Sequence, residues 1–583
     1  CIRDRLFQQF AITISVSVLF STLNALTLSP ALCALLLKPH KEATSGIFGR
    51  FNRWFDRRMV AYTGATESVV GRTKLTATLV AVIIAVIAVV WVHLPAGFLP
   101  EEDQGYLMVF VQTPEATALP KTQQVMTDVD EIIKRMPEIE STAIVAGFNM
   151  IAGIAATNCG IIFVKLVDYS DRKLSAMEIS DKITQELYIA ESAAMCYAFI
   201  PSSIPGLGVT SGITLEVQDM SGRGTEYLAQ HAYALLDSLR KNESVASATT
   251  QFNDGVPQRR LVIDKEQALI KGVSLHELYS QTAALLGSQY VNSFNKFGRL
   301  YQTYVQAAPE YRRDKYSLDS YSIATDDGNS VPLSSFVSVK DTVGVEFVSQ
   351  FNLFRSIGLN VTPAKKASTS QVMKIITETA DKVLPDDMGF SWSGVSYQES
   401  TESSKGFMVY FIALAFVFLT LAALYESWGL PISILLSVPL AVMGALLFIG
   451  AAHLFDTTFI NDIYMQISLV MLIGLAAKNA ILVVEYADKL FFEEKMSLSD
   501  AAVGAAKLRV RPIIMTAFSF ILGVMPLIFA SGVYSTARNI MGVALVGGML
   551  AATLFGIFLY PALYYLVAKL ANFEKKRQLN AQS

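Results

Sequence analysis

The sequence predicts a polytopic α-helical membrane protein with a large α+β domain outside the membrane. Of its 583 residues, 52% are hydrophobic and only 17% are charged, and the mean hydropathy is +0.41. This composition is too apolar for a soluble protein of the same length. Apolar runs of membrane-spanning length crowd both ends of the chain, whereas residues 95–405 have the mixed composition of a water-exposed domain.

The membrane part is predicted from apolar runs of about 18 or more residues. Seven such runs cover residues 10–36, 75–92, 407–425, 430–451, 463–487, 513–531 and 539–568. Basic residues concentrate between the first two runs, in the 488–511 loop and in the C-terminal tail, so these segments are expected in the cytoplasm. Residues 95–405 then lie on the outer side. Pro512 is expected in the first turn of the sixth helix.

The outer domain repeats a strand–helix–strand rhythm. The first set of elements covers residues 106–113, 121–136, 141–147, 160–168, 176–189 and 194–200. The second set covers residues 212–219, 226–240, 245–252, 354–361, 368–383 and 389–394. Each set predicts one βαβ–βαβ sandwich, and residues 256–345 are expected to form an insertion in the second.

Charge and motif content exclude several classes of function. The net charge of −3 leaves no basic excess, so nucleic acid is not an expected partner. The four cysteines have no metal-ligand spacing, and the five histidines are scattered without a nucleophile motif. We therefore expect no metal site, no cofactor and no enzymatic activity.

One lysine lies where a membrane protein rarely tolerates a charge. Lys478 lies about ten residues, or roughly 15 Å, from the cytoplasmic end of its span near Asp488. Two interpretations stay open: a side chain that reaches the interface, or an intramembrane functional residue. Glu485 lies seven residues on, roughly 10 Å along the same helix, too far for direct pairing. A partner outside this chain is therefore expected.

Arg509 and Thr516 are seven residues apart and share one helix face near the start of the sixth span. Taken alone, Arg509 fits a cytoplasmic anchor and Thr516 fits a hydroxyl bonded to its own helix. The first residue is Cys1 rather than Met, and no signal peptide precedes the first span. Together with the unpaired Lys478, this predicts that an upstream membrane half is missing.

Six segments carry a resemblance to a known family. In chain order they read QQFAITIS, LTLSPALCALLLKP, PAGFLPEEDQG, AALYESWGLPISILLSVPLAVMGALL, GLAAKNAILVVEYA and RVRPIIMTAFSFILGVMPL. They resemble the hydrophobe/amphiphile efflux family of the resistance-nodulation-division superfamily over essentially the whole chain. The resemblance implies the C-terminal half of a multidrug efflux pump in the bacterial inner membrane, driven by the proton gradient without a cofactor.

The resemblance also implies a division of the chain. Transmembrane helices are expected at 1–37 and 75–94, a basic cytoplasmic linker at 38–74, five more transmembrane helices at 406–570 and a cytoplasmic tail at 571–583. Periplasmic porter subdomains are expected at 95–211 and at 212–255 with 346–396, and a docking subdomain at 256–345. The implied partners are a homotrimer, a periplasmic adaptor, an outer-membrane channel, lipophilic small molecules and an N-terminal half carrying the relay aspartates.

The family's functional residues carry over by position. The proton relay maps to Lys478, Arg509 and Thr516. The substrate pocket maps to Val145, Phe148 and Met150, with Tyr197 and Phe199 at its entrance, although ordinary sandwich core is the alternative for all five. Residues 146–160 resemble a flexible loop between two pockets. Competing functions are a heavy-metal exporter of the same superfamily and a non-transporting membrane sensor or assembly protein.

Overall fold

The computed structural model describes residues 2–36, 46–190, 193–204, 206–312, 314–325, 328–364, 367–402 and 406–571. Residues 38–45 of the predicted linker and residues 572–583 of the predicted tail lie outside the described residues. Four helices open the chain: α1 (Ile2–Leu26), α2 (Leu28–Leu36), α3 (Gly46–Val70) and α4 (Thr73–His93). The first predicted span is therefore two helices, which meet at Thr27, shortly before Pro30.

The first sandwich contains β1 (Tyr106–Gln112), α5 (Leu119–Lys134), β2 (Ile139–Asn149), β3 (Ile154–Leu166), α6 (Ala176–Ala190) and β4 (Met195–Phe199). Its four strands lie in the order β2-β3-β1-β4, and every neighbouring pair is antiparallel. One strand thus separates the two strands of each βαβ unit, so the units interlock as split βαβ motifs. Alternate residues of β1 (Leu107, Val109 and Val111) pack beneath the two helices.

The second sandwich begins with β5 (Ile213–Asp219), α7 (Thr225–Arg240) and β6 (Val245–Thr250). The chain then forms β7 (Val256–Ile263), α8 (Lys265–Ile270), α9 (Leu275–Leu286), β8 (Gln289–Lys296), β9 (Arg299–Val305), β10 (Ser322–Ala324), β11 (Ser330–Pro332) and β12 (Val337–Gly344). It returns to the sandwich with β13 (Ser349–Phe351), β14 (Phe354–Pro363), α10 (Thr369–Val383) and β15 (Met388–Trp392). The sheet has the order β13-β14-β5-β15, and β6 also pairs with β14.

The segment between β6 and β13 is a compact unit of its own, formed by Phe252–Val348 together with Pro114–Ala118. Its small core contains Ala268, Leu278, Ile323 and Leu333. Its described strands form three separate two-stranded antiparallel sheets, which pair β7 with β12, β8 with β9 and β10 with β11.

The last part of the described chain is helical throughout. It contains α11 (Gly394–Glu402), α12 (Gly406–Tyr425), α13 (Gly429–Leu435), α14 (Val438–His453), α15 (Ile463–Phe492), α16 (Leu498–Ile528), α17 (Ser535–Leu554) and α18 (Gly556–Leu570). Among the described residues, seven helical segments are long and apolar enough to cross a membrane, judged by length and composition.

The expectation that Pro512 opens the sixth helix is wrong. The helix α16 begins at Leu498, and Pro512 lies in its interior. Ser497 caps the helix by accepting a hydrogen bond from the Asp500 N–H at 3.1 Å. Because Ala501, Ala502, Ala505 and Ala506 are all buried, tertiary packing supports the helix before the proline is reached.

Glycines allow the closest helix packing in the bundle. A side chain at Gly444 of α14 would come within 2.6 Å of the Gly547 carbonyl oxygen on α17. A side chain at Gly548 would collide with Leu472 of α15. Small residues at such crossings let helix backbones approach closely, which is how helices associate without a hydrophobic driving force in lipid.

Candidate functional site

The helix α15 presents two different faces along the AAKNA run. Ala476, Ala477, Asn479 and Ala480 are buried against the neighbouring helices. Lys478 lies on the opposite face and is exposed, as are Gly474 one turn before it and Glu485 two turns after it. In the described part of the chain Lys478 makes no ion pair, so its ammonium group is available to a carboxylate presented to this face.

The other two predicted relay residues lie on α16. The Arg509 guanidinium lies 4.6 Å from the centre of the Tyr486 ring, which joins α16 to α15 two turns after Lys478. Thr516 is exposed, and its hydroxyl donates to the Ile513 carbonyl at 3.0 Å. Within the described residues no hydrogen bond or ion pair links Lys478 to Arg509 or Thr516, so the structure does not bring the three into direct contact.

Strand register brings three of the predicted pocket residues onto one sheet face. Val145 pairs with Ile161, Ile161 with Phe110, and Phe110 with Tyr197, which makes one row across all four strands of the first sandwich. Phe199 lies in the next row, and its ring centre is 6.0 Å from that of Tyr197. This face is turned away from α5 and α6, because alternate residues on each strand pack beneath those helices.

The other two predicted pocket residues lie near the tip of the β2–β3 hairpin. Phe148 pairs with Ala155 beyond a bulge in β2, and Met150 lies in the connecting turn. Asn149 donates to the Gln251 side chain at 3.1 Å, and Gln251 also hydrogen-bonds Tyr197. Burial raises the pKa of Tyr197 to about 12, so its phenol stays protonated at neutral pH.

The expectation of a flexible loop at residues 146–160 is wrong. Residues Ile139–Asn149 and Ile154–Leu166 are paired strands, which leaves only a tight turn of four residues between them. The β-branched and aromatic residues of this segment pair across the hairpin despite its glycines and alanines. A cavity of about 330 Å³ lies on the other side of β2, lined by Leu119, Gln123, Thr127, Ile144 and Ala146, and none of the five predicted residues borders it.

Sequence reasoning missed a set of acidic residues between the first sandwich and the helical bundle. The Glu102 carboxylate accepts hydrogen bonds from the backbone N–H groups of Thr536 and Ala537, at 3.2 and 2.7 Å, in the first turn of α17. The Asp103 carboxylate accepts from Arg172 at 2.7 Å and from the Ala176 N–H at 2.9 Å, at the start of α6. These carboxylates fasten the PEEDQG segment to two helix N-termini, whose partial positive charge favours anions.

A third carboxylate, Asp462, is fully buried at the start of α15 and accepts a hydrogen bond from the Met465 N–H at 2.8 Å. Burial raises its pKa to about 7, and the negative charge of Glu102 adds to the rise. Burial also opposes ionisation of Asp103, but the hydrogen bonds from Arg172, Ala176 and Gly105 outweigh it and lower the pKa of that carboxyl. The available signal was the acidic run Glu101–Asp103 directly after an apolar span.

The chain is similar to known membrane transporters along nearly its whole length. A sequence model of the AcrB/AcrD/AcrF family matches residues 2–568. The chain is 35% identical to the multidrug/solvent efflux pump membrane transporter MepB of Pseudomonas putida, over 97% of the chain and 54% of that protein. It is 35% identical to the multidrug export protein AcrF of Escherichia coli K12, over 97% of the chain and 55% of that protein.

The chain therefore spans about half the length of the curated relatives it matches. The family match covers nearly the whole of this chain, and so it gives no support to the expectation of a missing N-terminal half.

Proposed function

The chain belongs to the AcrB/AcrD/AcrF family, and from this premise we propose that it serves proton-driven export of hydrophobic and amphiphilic compounds across the bacterial inner membrane. The relatives it matches are multidrug and solvent efflux transporters. The observation that carries the coupling to protons is Lys478, a charged residue in the middle of a helix that is apolar enough to span a membrane.

The proposed coupling uses the low dielectric of the membrane interior. An ammonium group there is stable only when it is paired, so Lys478 attracts a carboxylate presented to the open face of α15 in the assembled transporter. Protonation of that carboxylate removes the attraction, and breaking such a pair changes the free energy by about 3–5 kcal/mol, enough to shift a two-state helix bundle. Arg509, stacked on Tyr486, sets the position of α16 against α15, and Thr516 lies two turns further along α16.

The proposed substrate surface is the sheet face of the first sandwich that carries Val145, Tyr197 and Phe199. Phe148 and Met150 at the hairpin tip extend it. Polyspecific pockets are typically built from apolar and aromatic side chains with few polar groups, and this face has that character. Lipophilic small molecules are therefore the proposed substrates.

The topology and assembly are proposed on the same basis. Basic residues favour a cytoplasmic position for α3 and the 488–511 segment, which leaves both sandwiches and the unit at 252–348 in the periplasm. Membership of the family supports a homotrimer that works with a periplasmic adaptor and an outer-membrane channel.

The test measures efflux of a fluorescent dye from bacteria that lack their own multidrug pumps and express the transporter containing this chain. We expect Lys478→Ala to lower proton-dependent efflux by about tenfold or more. The matched control is Lys489→Ala, because Lys489 lies on the same helix but in its last turn, where it pairs only weakly with Glu493 at 3.7 Å.

The control should export dye at the wild-type rate, with equal abundance of both variants in the membrane. Normal efflux by Lys478→Ala would reject proton coupling through this residue. Wild-type efflux that survives collapse of the proton gradient would reject proton-driven export altogether.

A further inference from the structure

An apolar cavity lies beside the bend between α3 and α4. Its volume is about 230 Å³. It is lined by Val69 of α3, Leu79 and Ile83 of α4, Met443 of α14 and, around the start of α18, Phe555 and Phe558. Since all of these side chains are apolar, a ligand for this cavity must itself be apolar where it enters.

The depth of the cavity matches one leaflet of a bilayer. Leu79 and Ile83 follow the first residue of α4, Thr73, by six and ten residues, which corresponds to roughly 9 and 15 Å of helix. Half of the hydrocarbon core of a bilayer is about 15 Å thick. In the proposed topology the cavity therefore lies in the cytoplasmic leaflet and ends near the middle of the membrane.

The segment above the cavity is strongly basic. Residues 46–74 contain six basic and two acidic side chains. Arg72 and Lys74, both exposed, follow the cavity residue Val69 by three and five positions. Further along α3, Trp54 is exposed and has the Arg58 guanidinium 6.0 Å from its ring centre. Exposed Trp and Arg on an amphipathic helix are typical of the interface between water and lipid.

The helix α3 also forms part of the cavity wall through a fixed contact. The Tyr62 hydroxyl donates to the Ile557 carbonyl at 2.8 Å, and its ring centre lies 5.2 Å from that of Phe558. This contact holds the basic helix against α18, so the charged rim and the apolar cavity keep a constant spacing.

We propose that the bend between α3 and α4 is a binding site for an anionic phospholipid of the cytoplasmic leaflet. One acyl chain fills the cavity between α4, α14 and α18, and the phosphate of the headgroup binds Arg72 and Lys74. The cavity supplies a place for the chain, and the excess of basic side chains at its rim selects a headgroup with net negative charge over a zwitterionic one. The proposal assumes the membrane insertion proposed above, but lipid binding is measured separately from export.

The test is native mass spectrometry of the full chain in a non-ionic detergent, titrated with dioleoylphosphatidylglycerol or dioleoylphosphatidylethanolamine. We expect the anionic lipid to bind with about tenfold or higher preference, and the double substitution Arg72→Gln/Lys74→Gln to abolish that preference. The matched control, Arg50→Gln/Arg53→Gln, removes the same amount of charge from the distant end of α3. This variant should keep the preference for the anionic lipid.

A second pair of variants tests the cavity. Leu79→Trp fills the space with an indole ring and should weaken binding of both lipids, whereas Val82→Trp, on an exposed position of the same helix, should not. Equal binding of the two lipids to the wild-type chain would overturn the proposal. The proposal would also be overturned if both Arg72→Gln/Lys74→Gln and Leu79→Trp bound the anionic lipid as well as the wild type does. Failure of dye export with normal lipid selectivity would instead count against the proposed function alone.

Discussion

Individual carboxylates connect the PEEDQG segment to a helix of the first sandwich and to a helix of the bundle. Glu102 reaches the first turn of α17 across more than 430 residues of sequence, and Asp103 closes onto α6. Each carboxylate accepts a hydrogen bond from a backbone N–H at a helix start. The first N–H groups of a helix have no partner within the helix and need one from elsewhere. Asp462 does the same for α15, but it is buried deeply enough that its own ionisation becomes unfavourable.

Asp462 should make folding stability depend on pH in a particular direction. Its pKa rises from 3.8 to about 7 on folding, so the folded chain binds a proton that the unfolded chain has already lost. Stability from this residue therefore falls as the pH rises from about 4 to about 7. Asp462→Asn keeps a good helix cap and cannot ionise. We expect the free energy of unfolding of the variant to exceed that of the wild type by on the order of 1–3 kcal/mol at pH 8. At pH 4 the two should be almost equally stable.

The measurement is thermal unfolding in detergent at a series of pH values, compared between variant and wild type. The exposed Asp456, in the loop before α15, provides the control substitution Asp456→Asn, which should show no such trend. A difference between Asp462→Asn and wild type that is constant across this pH range would show that Asp462 is ionised in the folded protein.

At the scale of single elements, tertiary pairing overrides local composition. The Gly- and Ala-rich run at residues 146–160 forms a hairpin because β2 and β3 pair along most of their length. The helix α16 continues through Pro512 because the segment before the proline is capped by Ser497 and packed by buried alanines. A proline costs a helix one backbone hydrogen bond, which packing on both sides of it can outweigh.

The hairpin turn gives a test of its rigidity. Gly153 has φ of +71°, and its N–H donates to the Asn149 carbonyl at 2.8 Å. Gly153→Pro removes this donor and forces a negative φ. We therefore expect the free energy of unfolding to fall by about 3 kcal/mol or more. Export of small and bulky compounds should therefore fall together. The readouts are limited proteolysis of the chain and drug susceptibility of cells at equal membrane abundance.

The matched control is Gly153→Asn, because asparagine tolerates positive φ and keeps the N–H. It should behave almost like the wild type. If Gly153→Pro folded stably and lost export of bulky compounds only, the prediction of a flexible loop between two pockets would be supported again.

At the scale of the whole molecule, the distribution of charge and apolar surface divides the chain between lipid and water. The apolar helices lie at the two ends of the sequence, and the two sandwiches with the compact unit at 252–348 lie between them. By the positive-inside rule, the basic loops favour the orientation proposed above.

Cysteine labelling of spheroplasts tests this orientation. In a chain whose four native cysteines are replaced by alanine, we expect a membrane-impermeant maleimide to label Asn329→Cys but not Glu494→Cys. Both positions are exposed in the structure, so burial cannot account for a difference. Labelling of Glu494→Cys alone would show that the orientation is the reverse of the proposed one, with the sandwiches in the cytoplasm. Permeabilised cells, in which both sites must react, provide the control.

The family, the apolar helices and the strand–helix–strand rhythm of the two sandwiches could all be predicted from the amino-acid sequence. These features are written in local periodicity and hydropathy, which depend only on residues close together in the chain. For the same reason the unusual position of Lys478 could be inferred from one helical segment. Its exposure was not predicted, and it arises because Ala476, Ala477 and Ala480 pack the other face of α15 against neighbouring helices.

Contacts between residues far apart in the chain are visible only in the three-dimensional structure. The row from Val145 to Tyr197 depends on the register of four strands, and the stacking of Arg509 on Tyr486 depends on how two helices pack. The capping of α17 by Glu102 and the raised pKa of Asp462 arise from burial among segments hundreds of residues apart. Side-chain pairing and burial are properties of three-dimensional neighbours, and a linear pattern does not contain them.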